Sequence, residues 1–500
     1  MASAPAASPS LTSVAVPPPS PEQPWDLCHL QTRVLKLRDA IDLDKVKELA
    51  SQHNEGKFCR ISHDIVVGKT FLCIAVTFPN DGQEWVVRIA TKSTVDREWD
   101  MIRSEVATIR NKYIQRHTSI PVPTVQAYGT GKHLSEDLYE THSYIIQDRV
   151  PGKALGSDVL ALMTREKRKR VWCQLADALA QLQELTFPTT GSLYPAESDD
   201  MKECIGPALS RWDEYLSNRD GATRSRPVFT TAWDSIQHHL AVLKDGPEMR
   251  QIYCQTEPNE VVPQQIFAMD AVARHVNDKS ALFWRENAGF RLSKGRFASN
   301  NIFVDSEGNI RGIINWAWTE ILPRQLCQPM NWVRDVGLSP ERRREDGVWE
   351  EFLEVVTPDH AYHEHLRYYT DNEAHTFFAA ILRYPDSLTT VYFWDLFYNT
   401  QHEKADYVLL GGFFSQPEHK ARLDRLLAVQ KRHSDEVSGR LASHISRVLL
   451  PQWQLWHNEM GSLVFIASEA RHFLRDAVLA RPHPSLSPNG PDTGLPHSPV

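Results

Sequence analysis

Hydrophobic periodicity divides this chain: strand-like alternation dominates as far as residue 148, helical spacing dominates beyond it, and one β-hairpin interrupts the helical part. Phe58 to Ala90 is rich in Ile, Val, Thr and aromatic residues, and Asn80-Asp81-Gly82 predicts a tight turn between two of its strands. Trp99 to Ile114 then turns helical, with Ile102, Val106, Ile109 and Tyr113 at steps of four, three and four. Glu105 tends toward that apolar face. A carboxylate placed there wants a cation partner, because an unpaired buried charge is costly. Pro121-Val122-Pro123 stops this region, and strands follow around Thr124–Tyr128 and Tyr144–Gln147. Trp172, Leu175, Leu179, Leu182 and Leu185 mark one long amphipathic helix. Helical spacing recurs through 27–53, 228–245, 371–383, 418–448 and 451–480. The lone hairpin joins Ile302-Phe303-Val304 to Ile310–Ile314 across Asp305-Ser306-Glu307-Gly308.

The 500 residues leave ample length for a core in two to four structural units. The ends are set apart from them. Residues 1–24 carry seven prolines and residues 481–500 six more, so both segments read as Pro-rich disordered tails. A net charge of −8 argues against nucleic acid as the main partner, since a phosphate backbone demands a cationic face. Seven scattered cysteines with no C-x-x-C pair fit neither a zinc ribbon nor a disulfide framework, and point to a reducing, cytoplasmic setting. No 18-residue apolar run is present, so no membrane span is expected. The basic run from Arg165 to Arg170 reads as a solvated helix start, and His360, His363 and His365 as a surface turn.

A small β-rich lobe with one helix, then a larger helical lobe with a hairpin, is an α+β layout of the protein-kinase-like bilobal kind. The segment Phe290-Arg-Leu-Ser-Lys-Gly-Arg-Phe-Ala-Ser-Asn-Asn-Ile-Phe-Val-Asp305 resembles the catalytic stretch of the aminoglycoside phosphotransferase and choline kinase-like family. That stretch ordinarily reads His-Gly-Asp, four residues, Asn, then a hairpin ending in Ile-Asp-Trp. Gly295 fits the Gly, Asn301 fits the Asn, and Gly312-Ile-Ile-Asn-Trp316 fits the hairpin end. Arg103 to Arg110 resembles the family's helix in the small lobe, Ile120-Pro-Val-Pro123 its link and Tyr144 to Gly152 its hinge. Gly191-Ser-Leu193 and Trp316 to Pro323 are similar to its fungal branch. The resemblance implies a small lobe over 25–148 and a helical lobe over 149–480, with the catalytic hairpin region at 290–316.

It also implies where the chemistry would sit. Phosphoryl transfer is mostly positioning and charge neutralisation. Arg88 stands at the usual Lys position with Glu105 as its partner, and Gly56 would belong either to the loop covering the nucleotide or to an ordinary turn. Arg296 stands where the family has the Asp that accepts the hydroxyl proton; a guanidinium offers no acceptor and cannot be that base. Asn315 replaces the Asp that binds Mg²⁺, and Lys294 replaces the His. Together these changes move the site by about +4 in formal charge relative to an active member. Of the metal set only Asn301 remains, so Mg²⁺ is expected to be weakly held or lost, whereas ATP stays a candidate ligand. The expected protein is therefore a catalytically impaired relative, kept for binding a small molecule or a protein partner. The alternative is an ATP-dependent hydroxyl kinase with a non-standard site.

Overall fold

The structure, a computed structural model, describes residues 37–428 except 63–64, 69, 92–97, 110–112, 137–139, 197–198, 211–226, 246–257, 296, 338–346 and 399–405. Both Pro-rich tails, the helical spacing at 451–480 and Arg296 lie outside the described residues.

The first part is an antiparallel sheet. Helix α1 (Leu43–Gln52) starts on Asp42, whose carboxylate accepts the backbone N–H groups of Asp44 and Lys45. After it come β1 (Arg60–Ile61), β2 (Val66–Val67), β3 (Phe71–Phe78) and β4 (Gln83–Ala90). Helix α2 (Glu98–Ile109), β5 (Val125–Lys132) and β6 (His142–Asp148) complete it. The strands run in the order β1-β3-β4-β6-β5, with β2 also paired to β3. The turn expected at Asn80-Asp81-Gly82 joins β3 to β4, and Gly82 takes the positive φ of 70° that such a turn requires. Alternation fixes what each face carries. Leu72, Ile74, Val76, Val87 and Ile89 share a core with Val46 and Leu49 of α1. The opposite face of β4 turns Arg88 and Ala90 toward α2, whose Ile102, Val106 and Ile109 are buried with Ala90 and Ile145. Arg88 thus reaches Glu105 by the pleat alone.

The remainder is mostly helical. A short strand β7 (Lys153–Ala154) precedes α3 (Arg165–Glu184), which buries Val171, Trp172, Leu175, Leu179 and Leu182. Next come β8 (Thr186–Phe187) and a hairpin of β9 (Ser192–Ala196) and β10 (Asp199–Gly206) that packs on α2. Helices α4 (Ala232–Asp245) and α5 (Pro258–Asn277) lead to β11 (Phe290–Ser293). The expected hairpin is β12 (Ile302–Val304) with β13 (Ile310–Ile313), and β7 adds a third strand to it. Strand β14 (Glu320–Pro323) pairs with β11, and α6 (Val348–Val355), α7 (His363–Thr370) and α8 (Glu373–Arg383) follow, with further helical segments at Leu388–Val391, Tyr392–Phe397 and Asp406–Phe414. The whole is an α+β fold with its sheet first and its helices after.

The basic start of α3 is solvated as expected, with Arg165, Lys169 and Arg170 exposed, and it also carries surface contacts. Arg165 and Arg168 pair with Glu354 and Glu351 of α6 (2.7 and 2.6 Å), while Lys167 and Arg170 donate to the carbonyls of Ser306 and Glu307 in the β12–β13 turn. His360 and His365 face Asp177 and Glu184 of α3, and among the described residues no cluster of His, Cys, Asp or Glu could hold a metal.

Candidate functional site

Arg88 and Glu105 form a fork-on-fork pair: Nη1 donates to Oε1 at 2.7 Å and Nη2 to Oε2 at 3.2 Å. Both residues are buried. Burial works against charge on Arg88, but Glu105 outweighs it with help from Cys73, and the guanidinium's pKa moves up. Nη1 also donates to Gln147 Oε1 at 3.1 Å, and the Phe71 ring centre lies 4.0 Å from the guanidinium carbon. Three of the five N–H groups and one face of Arg88 are thereby occupied by the protein itself.

Glu105 has a second duty. Its Oε1 accepts the backbone N–H of Trp316 at 2.9 Å, which ties α2 to the segment following β13. That segment holds two non-glycine residues in the left-handed region, Asn315 (φ 60°) and Trp318 (φ 61°). It is fastened at its far end as well. The Thr319 hydroxyl donates to the Trp316 carbonyl at 2.5 Å, and the Ser192 hydroxyl in β9 donates to the Thr319 carbonyl at 3.1 Å. Asn315 therefore sits in a loop stretched between α2 and the β9–β10 hairpin.

The loop after β11 is held from behind. The Arg383 guanidinium, at the end of α8, donates to the Ser293 hydroxyl and to the carbonyls of Lys294 and Leu326, both at 3.2 Å. Tyr384 Oη donates to the Gly295 carbonyl at 2.7 Å, and the Trp332 indole N–H donates to the Phe297 carbonyl at 2.7 Å. Gly295 is required there, since a Cβ would lie 2.5 Å from the Trp318 carbonyl oxygen. Asn301 follows in a short 3₁₀ turn, and its carbonyl accepts the Ile314 N–H at 2.9 Å, fixing the spacing between Asn301 and Asn315.

Lys294 points inward. It is 3% exposed, with Nζ 5.4 Å from the Phe297 ring centre and 5.8 Å from that of Trp316. Burial pushes its pKa down to about 7; Glu105 pulls it up, and the neighbouring Arg88 lowers it again. Two cationic side chains thus share the field of one carboxylate.

Of the residues expected to form the site, Arg88, Glu105 and Lys294 come together, and the Asn301 carbonyl is bonded to the N–H of Ile314, the neighbour of Asn315. Gly56 is elsewhere: it ends the turn after α1, its N–H donating to the Ser51 carbonyl at 2.9 Å. The turn that belongs to the sheet is the one between β2 and β3, where Gly68 N–H donates to the Phe71 carbonyl at 2.9 Å. Sequence reasoning missed Phe71, Gln147, Arg383, Tyr384 and Trp332. Strand alternation puts Phe71 and Gln147 on Arg88's face, but only once register is known.

These donors suit a divalent ion poorly. Mg²⁺ takes carboxylate and phosphate oxygens at near-octahedral geometry, whereas Asn301 and Asn315 offer neutral amides beside buried cations.

No family model matches the chain. A subtelomeric hrmA-associated cluster protein of Aspergillus fumigatus is 33% identical over 163 residues, a match spanning 30% of this chain and 30% of that protein. A second protein of the same description, from another strain, matches equally. Among solved structures the chain is similar to an aminoglycoside 2'-phosphotransferase-IIIa in its GDP complex (13% identity, 81% of this chain, 98% of that one, TM-score 0.39). It is also similar to the ADP-bound aminoglycoside phosphotransferase APH(2'')-Ib (10%, 77% and 98%, TM-score 0.38) and to a Plasmodium vivax ethanolamine kinase (12%, 73% and 82%, TM-score 0.33).

Proposed function

We propose that this chain is a kinase-fold member of the aminoglycoside phosphotransferase and choline kinase-like family, of fungal type. In this reading its phosphoryl transfer is impaired, and its cleft is kept for binding a small molecule or a protein partner in the cytoplasm. One observation carries the reading. Lys294, buried beside Arg88 in the field of the single carboxylate of Glu105, adds a second cation to a cleft whose family chemistry relies on acidic groups. A nucleotide taken by such a cleft would have its phosphates balanced by side-chain cations in place of Mg²⁺. The order of sheet, helix and hairpin supports the fold, and the match to the Aspergillus protein supports the fungal type.

The second reading, a working hydroxyl kinase, is favoured by the intact Arg88–Glu105 contact and by Asn301 beside the hairpin. Loss of a positioned base costs roughly 10²–10⁴-fold, which slows transfer without forbidding it. Thermal-shift titration of ATP separates the two, because a ligand that binds the native state must raise the melting temperature. Impairment with a retained cleft predicts a shift unchanged by EDTA. A shift that requires Mg²⁺ overturns that reading in favour of the working kinase.

A further inference from the structure

Away from the cleft, near the end of α3, two arginines and a histidine gather, and among the described residues only the histidine of the three has a carboxylate against it. Arg291 lies on β11, Arg324 directly after β14, and His365 on α7. The Arg324 guanidinium carbon is 4.0 Å from the Tyr368 ring centre, and Arg291 donates only to the carbonyl of its neighbour Phe290, at 3.1 Å. Among the described residues neither guanidinium has a carboxylate oxygen within 4 Å. The Nε–H of each is shut off from water and meets no acceptor, and His365 Nδ1 is in the same state. His365 gives its other nitrogen to Glu184 Oε1 at 3.1 Å. Arg291 pairs with Leu322, two residues before Arg324, the Arg324 N–H donates to the Gly289 carbonyl at 3.2 Å, and Tyr369 of α7 donates its hydroxyl to the Arg324 carbonyl at 3.0 Å, so β11, the residue after β14 and α7 meet here. Burial lowers the His365 pKa, Glu184 opposes this, and Arg324 and Arg291 lower it further.

We propose that Arg291, Arg324 and His365 form an oxyanion-binding site, separate from the cleft, that takes a phosphate or carboxylate group of a small molecule. Partly dehydrated guanidinium charge is costly to leave unanswered. An oxyanion on the terminal nitrogens offsets that cost, and the planar fork of arginine matches both oxygen geometries. The same anion draws a proton onto His365, whose pKa the fold holds below the ordinary imidazole value, so the anion binds more tightly as pH falls. Two carboxylates bound the site. Glu184 faces His365, and Glu286 accepts the Tyr368 hydroxyl at 3.1 Å, so a small anion is favoured over a long polyanion. Strand β11 runs from this cluster to Lys294.

The test uses the full chain, with inorganic phosphate and succinate titrated separately against sodium chloride at matched ionic strength. Saturable stabilisation by phosphate assigns a phosphate site, and by succinate a carboxylate site. Binding should weaken about ten- to a hundredfold in Arg324→Gln and in Arg291→Gln, the worth of a charge-assisted hydrogen bond. It should be tighter at pH 6 than at pH 8, and Lys294→Met should leave it unchanged. Glu184→Gln, which removes a competing carboxylate, should tighten it, and this variant decides the matter should the arginine variants not fold. Shifts no larger than those with chloride, binding that survives the double arginine variant, or no tightening in Glu184→Gln overturn the proposal.

Discussion

Replacing Lys294 with Met isolates the electrostatics of the cleft. The Lys294 pKa falls from 10.5 to about 7 on folding, with burial the largest cause and Arg88 adding to it. Each unit is worth about 1.4 kcal/mol, so the folded protein carries a liability of up to about 5 kcal/mol wherever the unfolded chain holds this amine protonated. The sign follows from proton counts. Between pH 7 and pH 10.5 the unfolded state binds more protons at this site than the folded state, so stability rises with pH across that window. Below pH 7 both states are protonated and the penalty is constant. Methionine keeps the contacts with Phe297 and Trp316 and removes the charge. Denaturation of wild type and Lys294→Met at pH 6, 7, 8, 9 and 10 reads the difference directly. The variant should be more stable by a few kcal/mol at pH 6, with the gap narrowing as pH rises. A gap that is absent at pH 6, or that does not change with pH, would refute the claim that two cations compete here for one carboxylate.

Glu105→Gln should cost about 3–5 kcal/mol, because it strips the buried Arg88 of its partner and weakens the anchor of the Trp316 N–H; a loss below about 1 kcal/mol in denaturant midpoint would contradict this. His275 Nε2 lies 2.7 Å from His375 Nδ1, and burial, then His375, holds the His275 pKa down to about 4. The stability present above pH 6.5 should therefore fall as pH drops toward 4, by on the order of 1–2 kcal/mol once solvent screening is allowed for; a His275→Phe variant with the same acid profile would exclude the pair as the cause. The double reversion Arg296→Asp with Asn315→Asp adds about −3 of charge and should raise affinity for Mg²⁺–nucleotide, as measured by calorimetry; unchanged affinity would mean that these residues do not face the nucleotide.

What the sequence made legible is what repeats locally. The 80–82 turn, the β12–β13 hairpin and the long helix α3 all announce themselves by spacing and turn residues. Glu105 is the best case, since a carboxylate on an apolar face predicts a cation, and the pleat of β4 supplies Arg88. Helix bounds were read less closely. Among the described residues the helix expected over 99–114 is helical over Glu98–Ile109 and again over Tyr113–His117. A lone glycine marks a turn without saying which elements the turn joins, and of the two openings for Gly56 it takes the ordinary turn, after α1. The β9–β10 hairpin went unread, as a two-strand ribbon packed on a helix carries little pattern of its own. The supports of the 293–297 loop were invisible for another reason. Arg383 and Tyr384 lie about 90 residues downstream and act on backbone carbonyls, which no side-chain spacing encodes.

The most direct test of impaired phosphoryl transfer is ADP formation from ATP and Mg²⁺, measured with aminoglycoside, choline and homoserine as acceptors. The Asn301→Ala variant serves as control, because the proposed function gives Asn301 the one position kept for a metal ligand. The expected result is no ADP above the background of that variant with any acceptor. Robust Mg²⁺-dependent ADP formation that disappears in Asn301→Ala would contradict impairment and identify a working kinase.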